Sequence, residues 1–124
     1  MESNSSVIAR YNSFHDWYLC SVSTDMFDSV VELRLMFDNR KDRARVTFKG
    51  ATRCLVKDLL IQNIIYSIDI LSDFESKEFI QARSDLDASY PWGKDKAPKS
   101  IASISASIGA ELLIEFDSVE VESE

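Results

Sequence analysis

Val30-Val31-Glu32-Leu33-Arg34-Leu35-Met36-Phe37, the turn-like Asp38-Asn39-Arg40-Lys41-Asp42-Arg43 and, after it, Arg45-Val46-Thr47-Phe48-Lys49-Gly50 form the stretch whose reading decides the fold. Val31, Leu33, Leu35 and Phe37 alternate with Glu32, Arg34 and Met36, and Val46 and Phe48 alternate with Arg45, Thr47 and Lys49. Period-two alternation sends successive side chains to opposite faces of a strand. Two such runs across a short polar loop predict an antiparallel hairpin with one apolar and one wet face. A lone ribbon is not stable in water, so other segments must cover its apolar side.

Working outward, Trp17 to Ser23 reads as a strand from its aromatic and β-branched content, led in by a turn of helix or irregular chain over 6–14. Asp25 to Asp28 supplies a turn. Gly50, where the second hairpin strand ends, marks a tight turn or bulge that requires positive φ. A short strand over 51–56 and one helical turn over 57–63 are expected next. Ile64, Tyr66, Ile68 and Ile70 then alternate with Ile65, Ser67 and Asp69. Ser72-Asp73-Phe74-Glu75 has the form of a capping box, predicting one main helix near residues 73–87. Two prolines and a glycine in 89–100 forbid regular structure there. Ala102 to Ile108 and Leu112 to Phe116 alternate on either side of Gly109, and Val119 and Val121 alternate with Glu120 and Glu122. The expectation is one α+β domain over 1–124, mostly antiparallel β, with about seven strands in a sandwich- or half-barrel-like arrangement.

A chain of 124 residues with 45% apolar content builds a real core. No apolar run approaches the roughly 20 residues that cross a bilayer, and Met1 to Ser6 lacks the basic-then-apolar pattern of an export signal. A cytoplasmic protein with Cys20 and Cys54 as small buried hydrophobes is expected. The net charge is −7. Residues 1–99 carry 15 acids and 14 bases, whereas 100–124 carry Glu111, Glu115, Asp117, Glu120, Glu122 and Glu124 and no base. Such a field repels nucleic acid and anionic lipid and steers basic partners.

Chemistry is sparse. His15-Asp16 invites a metal reading, but His15 is the only histidine, so the further ligands of such a site are missing. The expected role of His15 and Asp16 is a hydrogen bond to backbone where the chain enters its first strand, with Phe14 and Trp17 packing beside them. Neither cysteine has a supporting pattern for a Cys-His nucleophile, and with Gly50, Gly93 and Gly109 the only glycines there is no phosphate-binding loop. No catalytic residue, metal or cofactor is predicted. Tyr90 and Trp92 have two readings, packing beside the helix or an exposed anchor with Asp85 and Asp87 adding carboxylate beside it. The acidic row of the last strands is a docking surface or a guard against edge-to-edge pairing.

Tyr11-Asn12-Ser13-Phe14-His15-Asp16-Trp17-Tyr18-Leu19, the strand at 31–35, Val46-Thr47-Phe48-Lys49-Gly50 and Gln62-Asn63-Ile64-Ile65 together resemble small bacterial β-sheet proteins with an early His-Asp. Some of these are immunity proteins of polymorphic-toxin systems, including contact-dependent growth inhibition. The resemblance covers roughly residues 11–70. It implies an inhibitor that binds and neutralises a cognate toxin, a basic nuclease domain being the natural target of an acidic protein, and it carries over no catalytic residue. The expected contacts are Glu111, Glu115, Asp117, Glu120, Glu122, Asp85, Asp87, Tyr90 and Trp92. The alternatives are a small-ligand-binding β-barrel or sandwich, and a structural or regulatory subunit working as a homo-oligomer.

Overall fold

In the computed structural model, which describes residues 3–124, a short helix α1 (Asn4–Ala9) and a 3-10 turn over Asn12–Phe14 precede the strands. These are β1 (Tyr18–Asp25), β2 (Val30–Met36), β3 (Arg43–Lys49), β4 (Arg53–Lys57), β5 (Ile64–Leu71), β6 (Ser100–Ile108), β7 (Glu111–Phe116) and β8 (Ser118–Ser123). Helix α2 (Lys77–Ser89) lies between β5 and β6. All eight strands pair antiparallel in one sheet, in the order β4-β7-β6-β5-β1-β2-β3-β8. The class is the α+β, mostly antiparallel one expected, with one main helix and eight strands rather than seven.

The hairpin forms as its alternation dictates. Val31 faces Phe48, Leu33 faces Val46 and Leu35 faces Ala44, and all six side chains are buried. Asn39 shapes the connecting turn by accepting bonds from the amides of Lys41 and Asp42.

The sheet folds on itself because β1 and β5 pair only around Tyr18 and Ile64. The half β4-β7-β6-β5 contributes Ile65, Ile68, Ile104, Leu112, Ile114 and Phe116 to the core; the half β1-β2-β3-β8 contributes the hairpin residues, Leu19 and Val119. Phe48 and Phe116 meet edge to face across the two halves, 5.0 Å between ring centroids. Ile8 and Phe14 fill the remaining space from the lead-in. Each such side chain stabilises the fold by about 1.5–3 kcal/mol.

The chain passes from one half to the other at two adjacent points, Gly50 and Asp117. The Asp117 amide donates to the Lys49 carbonyl at 2.9 Å, so β8 starts beside β3 after one residue. Gly50 sits at φ +66°, and a Cβ there would run into the Asp117 carboxylate. The residue marked in the sequence for positive φ is therefore also a point of close approach. Lys99 closes the corner, with its Nζ 3.1 Å from the Gly50 carbonyl and 3.2 Å from Asp117 Oδ1.

Three local expectations are corrected. On β5, register shifts around Ile65 put Ile65 and Ile68 inside and leave Tyr66 exposed, so uninterrupted alternation did not hold. Helix α2 begins one turn later than the Ser72 box: Ser76 is the cap, its Oγ accepting from the Phe79 amide at 3.2 Å. Ser72 instead bonds Ser100, and Asp73 accepts from the Glu75 amide in a turn. Residues 58–63 make a loop and not a helical turn, because the buried Asn63 amide clamps both backbone groups of Leu60 at 3.0 and 2.8 Å.

Helix α2 covers the outer face of the β4-β7-β6 half. Phe79, Ala82 and Leu86 bury Ile101 with Leu55, Leu71 and Leu113 around it, a second apolar cluster. This layer positions the features described next.

Candidate surface for partner binding

The six carboxylates of the last 25 residues do not form a row. Those of β7 and β8 stand far apart in the strand order, and four of them are neutralised within the chain. Glu120 pairs with Lys49 at 2.9 Å, Glu122 with Arg45 at 2.5 Å and Asp117 with Lys99 at 3.2 Å. The outer face of β3 and β8 is thus a balanced ladder of opposite charges, as cross-strand neighbours favour. This overturns the expectation of an unopposed anionic plate on the final strands.

Glu115 is buried and cannot meet a partner in this fold. Arg53, at the start of β4 and paired with Glu115 in the ladder, holds it with a two-pronged contact: Nε to Oε1 at 3.1 Å and Nη2 to Oε2 at 2.8 Å. Thr52 adds a hydroxyl bond at 2.6 Å. Burial alone would push the Glu115 carboxyl up, but the bonds from Arg53 and Thr52, with the Arg53 charge, hold it below its ordinary value. Arg53 Nη1 also reaches Asp87 Oδ1 at 2.6 Å and the Tyr90 carbonyl at 3.1 Å. Asp87 is therefore committed to anchoring the end of α2 to β4. Arg53 was missed in the sequence, where its signal was its alternation with Leu55 on the strand face that α2 covers.

Asp85 and Glu111 do come together. They line one shallow groove between α2 and the sheet with Lys57, Leu55, Ser103 and Ser105. Glu78 lies two helical turns before Asp85 on the same stripe of α2, and Glu75 and Asp73 precede the helix. Residues 58–90 hold seven acids (Asp58, Asp69, Asp73, Glu75, Glu78, Asp85, Asp87) against Lys77 and Arg83. Of these acids only Asp87 pairs with a base among the described residues. Asp85 and Glu111 thus stand beside α2 with Lys57 in the same groove, and Glu78, Glu75 and Asp73 continue the acidic stripe along and before the helix.

Aromatic rings stand at both ends of that helix. Phe74 rests on Phe79 with centroids 4.8 Å apart, half exposed. Tyr90 and Trp92 meet at a tilt of 50°, ring centroids 5.0 Å apart, with Trp92 72% exposed. Of the two readings of this pair, the structure places it outward. Arg83 ties the loop to the helix through the carbonyls of Lys94 and Lys96, at 3.0 and 2.7 Å.

His15 bonds backbone: its Nδ1 lies 2.8 Å from the Tyr66 carbonyl oxygen, beside β5. Asp16 sits at φ +68°, its Oδ2 3.4 Å from His15 Nε2. Phe14 is stacked on Tyr11 at 4.8 Å and meets Trp17 edge to face at 5.1 Å. Cys20 is exposed, contrary to the expectation of two buried thiols, because it occupies the register shift of β1. Cys54 is half-buried, and burial pushes its thiol up to about 11. Among the described residues, no three His, Cys, Asp or Glu side chains are grouped to hold a metal ion. No described helix is long and apolar enough to cross a membrane. Compared with known proteins, the chain matches no family model and no curated protein.

Proposed function

We propose that this chain is an immunity-type inhibitor that binds and neutralises a cognate toxin domain, a basic nuclease, inside the cell that makes both. The observation that carries the reading is the unpaired acidic surface around α2, bracketed by exposed aromatic rings. Thirteen helical residues span about 20 Å, so Phe74 and the Tyr90-Trp92 pair bracket Glu78, Asp85 and Glu111 at a separation suited to one protein footprint. Opposite charge gives fast, steered association with a cationic cleft, and desolvated aromatic anchors give it duration. The space between the sheet halves is filled by Phe14, Phe48 and Phe116, so binding at the surface is favoured over an enclosed ligand pocket.

Co-expression with the toxin domain encoded beside its gene tests the reading. Growth protection together with a 1:1 complex that weakens as salt rises is expected. Loss of protection by a Trp92→Ala variant that remains folded would place the aromatic pair in the contact. Absence of a complex with a basic nuclease domain from that locus would refute the proposal.

A further inference from the structure

We infer that two copies of this chain associate by pairing the free edges of their β1 strands. Past Leu19, whose amide donates to the Asn63 carbonyl at 2.8 Å, β1 has β2 on one side and, among the described residues, no strand on the other. Residues 20–25 are therefore an open edge about 20 Å long. Such edges are normally blunted by charge, proline, a bulge or a covering element. The register shift of β1 lies at Cys20, where the edge begins, and Ser21 to Asp25 keep regular register with β2. Here β8 has α1 against it and β4 ends on Lys57, whereas the open edge of β1 has no proline and carries one charge, Asp25 at its end, whose Oδ1 accepts from the amides of Phe27 and Asp28.

The sparsely charged edge selects a second copy as its occupant. Two chains each of charge −7 repel least where they meet along an edge whose one carboxylate, Asp25, is turned back onto its own turn. An antiparallel pairing centred between Val22 and Ser23 is self-complementary, as a two-fold interface must be. The incoming strand would continue the line of β5 beyond Asn63, so its far end abuts the loop that precedes β5. Each end carries exposed apolar side chains. Met26 and Phe27 lie in the turn after β1, with Phe27 88% exposed, and Leu59, Leu60 and Ile61 lie in the loop, with Ile61 fully exposed. Ile61 borders the same groove as Cys20. The two-fold thus sets Phe27 of each copy on Ile61 of the other, burying twice over side chains for which the single chain has no use.

Sedimentation velocity over a concentration series tests this. The parent chain is expected to dimerise, with amides in 20–25 gaining protection from hydrogen exchange as concentration rises. Phe27→Lys and Ile61→Asp, both at exposed positions, should each weaken the dimer about tenfold or more, equivalent to ~1.4 kcal/mol or more. Combined in one chain they place lysine against aspartate at both contacts and should recover most of the affinity. A chain monomeric at millimolar concentration, a dimer indifferent to both substitutions, or a double variant as weak as the singles overturns the inference.

Discussion

Arg53 and Glu115 face each other across β4 and β7, two guanidinium nitrogens on two carboxylate oxygens at 3.1 and 2.8 Å, both side chains nearly out of solvent. Removing one partner strands the other in the layer beneath α2. Glu115→Ala should cost about 3–5 kcal/mol, and Arg53→Met with Glu115→Leu should recover most of that loss, read by urea unfolding of the parent and the two variants.

The same pair sets an acid limb. The folded Glu115 carboxyl lies below its ordinary value of 4.5, so its contribution is complete above that pH and is lost as pH falls through the lower folded value. Parent stability should therefore fall more steeply than that of Glu115→Gln below about pH 4.5. Denaturant midpoints at neutral pH and on the acid limb measure the difference.

Gly50 and Gly109 should differ in what they tolerate. The nearest atoms to a Cβ at Gly50 belong to the Asp117 side chain, which is exposed and can swing away. At Gly109, φ +88°, it meets the Gln62 carbonyl at 2.8 Å and the Asn63 amide, whose Oδ1 also accepts from the amides of Leu60 and Ala110. Gly50→Ala should cost about 1–2 kcal/mol and Gly109→Ala more, with the order of melting temperatures as the check.

The thiols should separate cleanly. Cys20 is exposed, whereas burial holds Cys54 at about 11. Only the thiolate reacts. One thiol should react with Ellman's reagent in the native protein at pH 8 and two in denaturant, and Cys20→Ser should abolish the native reaction.

The strand pattern was legible because it depends on neighbours two apart. The 31–37 and 45–49 alternation carries its own register, and Gly50 announced its φ. Tertiary placement was not legible. Nothing local says that β8 leaves β7 after Asp117 to lie beside β3, where Glu120 and Glu122 meet Lys49 and Arg45. A count of acids in the last 25 residues therefore put the excess on the wrong side of the molecule. The β5 register shifts and the Ser76 cap were hidden for the same reason: Ile65 turns inward to fill the space between the halves, and the Ser72 hydroxyl is taken by Ser100. Asp85 and Glu111 line one groove although the sequence sets them in separate stretches, and Arg53 only declares itself once α2 is laid over β4.

The central claim is that the chain's binding charge sits around α2 and not on β8. Stopped-flow association with the basic toxin domain encoded beside its gene tests it most directly. Glu75, Glu78, Asp85 and Glu111 changed together to lysine should slow association at least about tenfold at low salt and flatten its salt dependence, while Glu120→Lys with Glu122→Lys leaves the rate near that of the parent. Equal slowing by both sets, or slowing by the β8 set alone, would contradict the account.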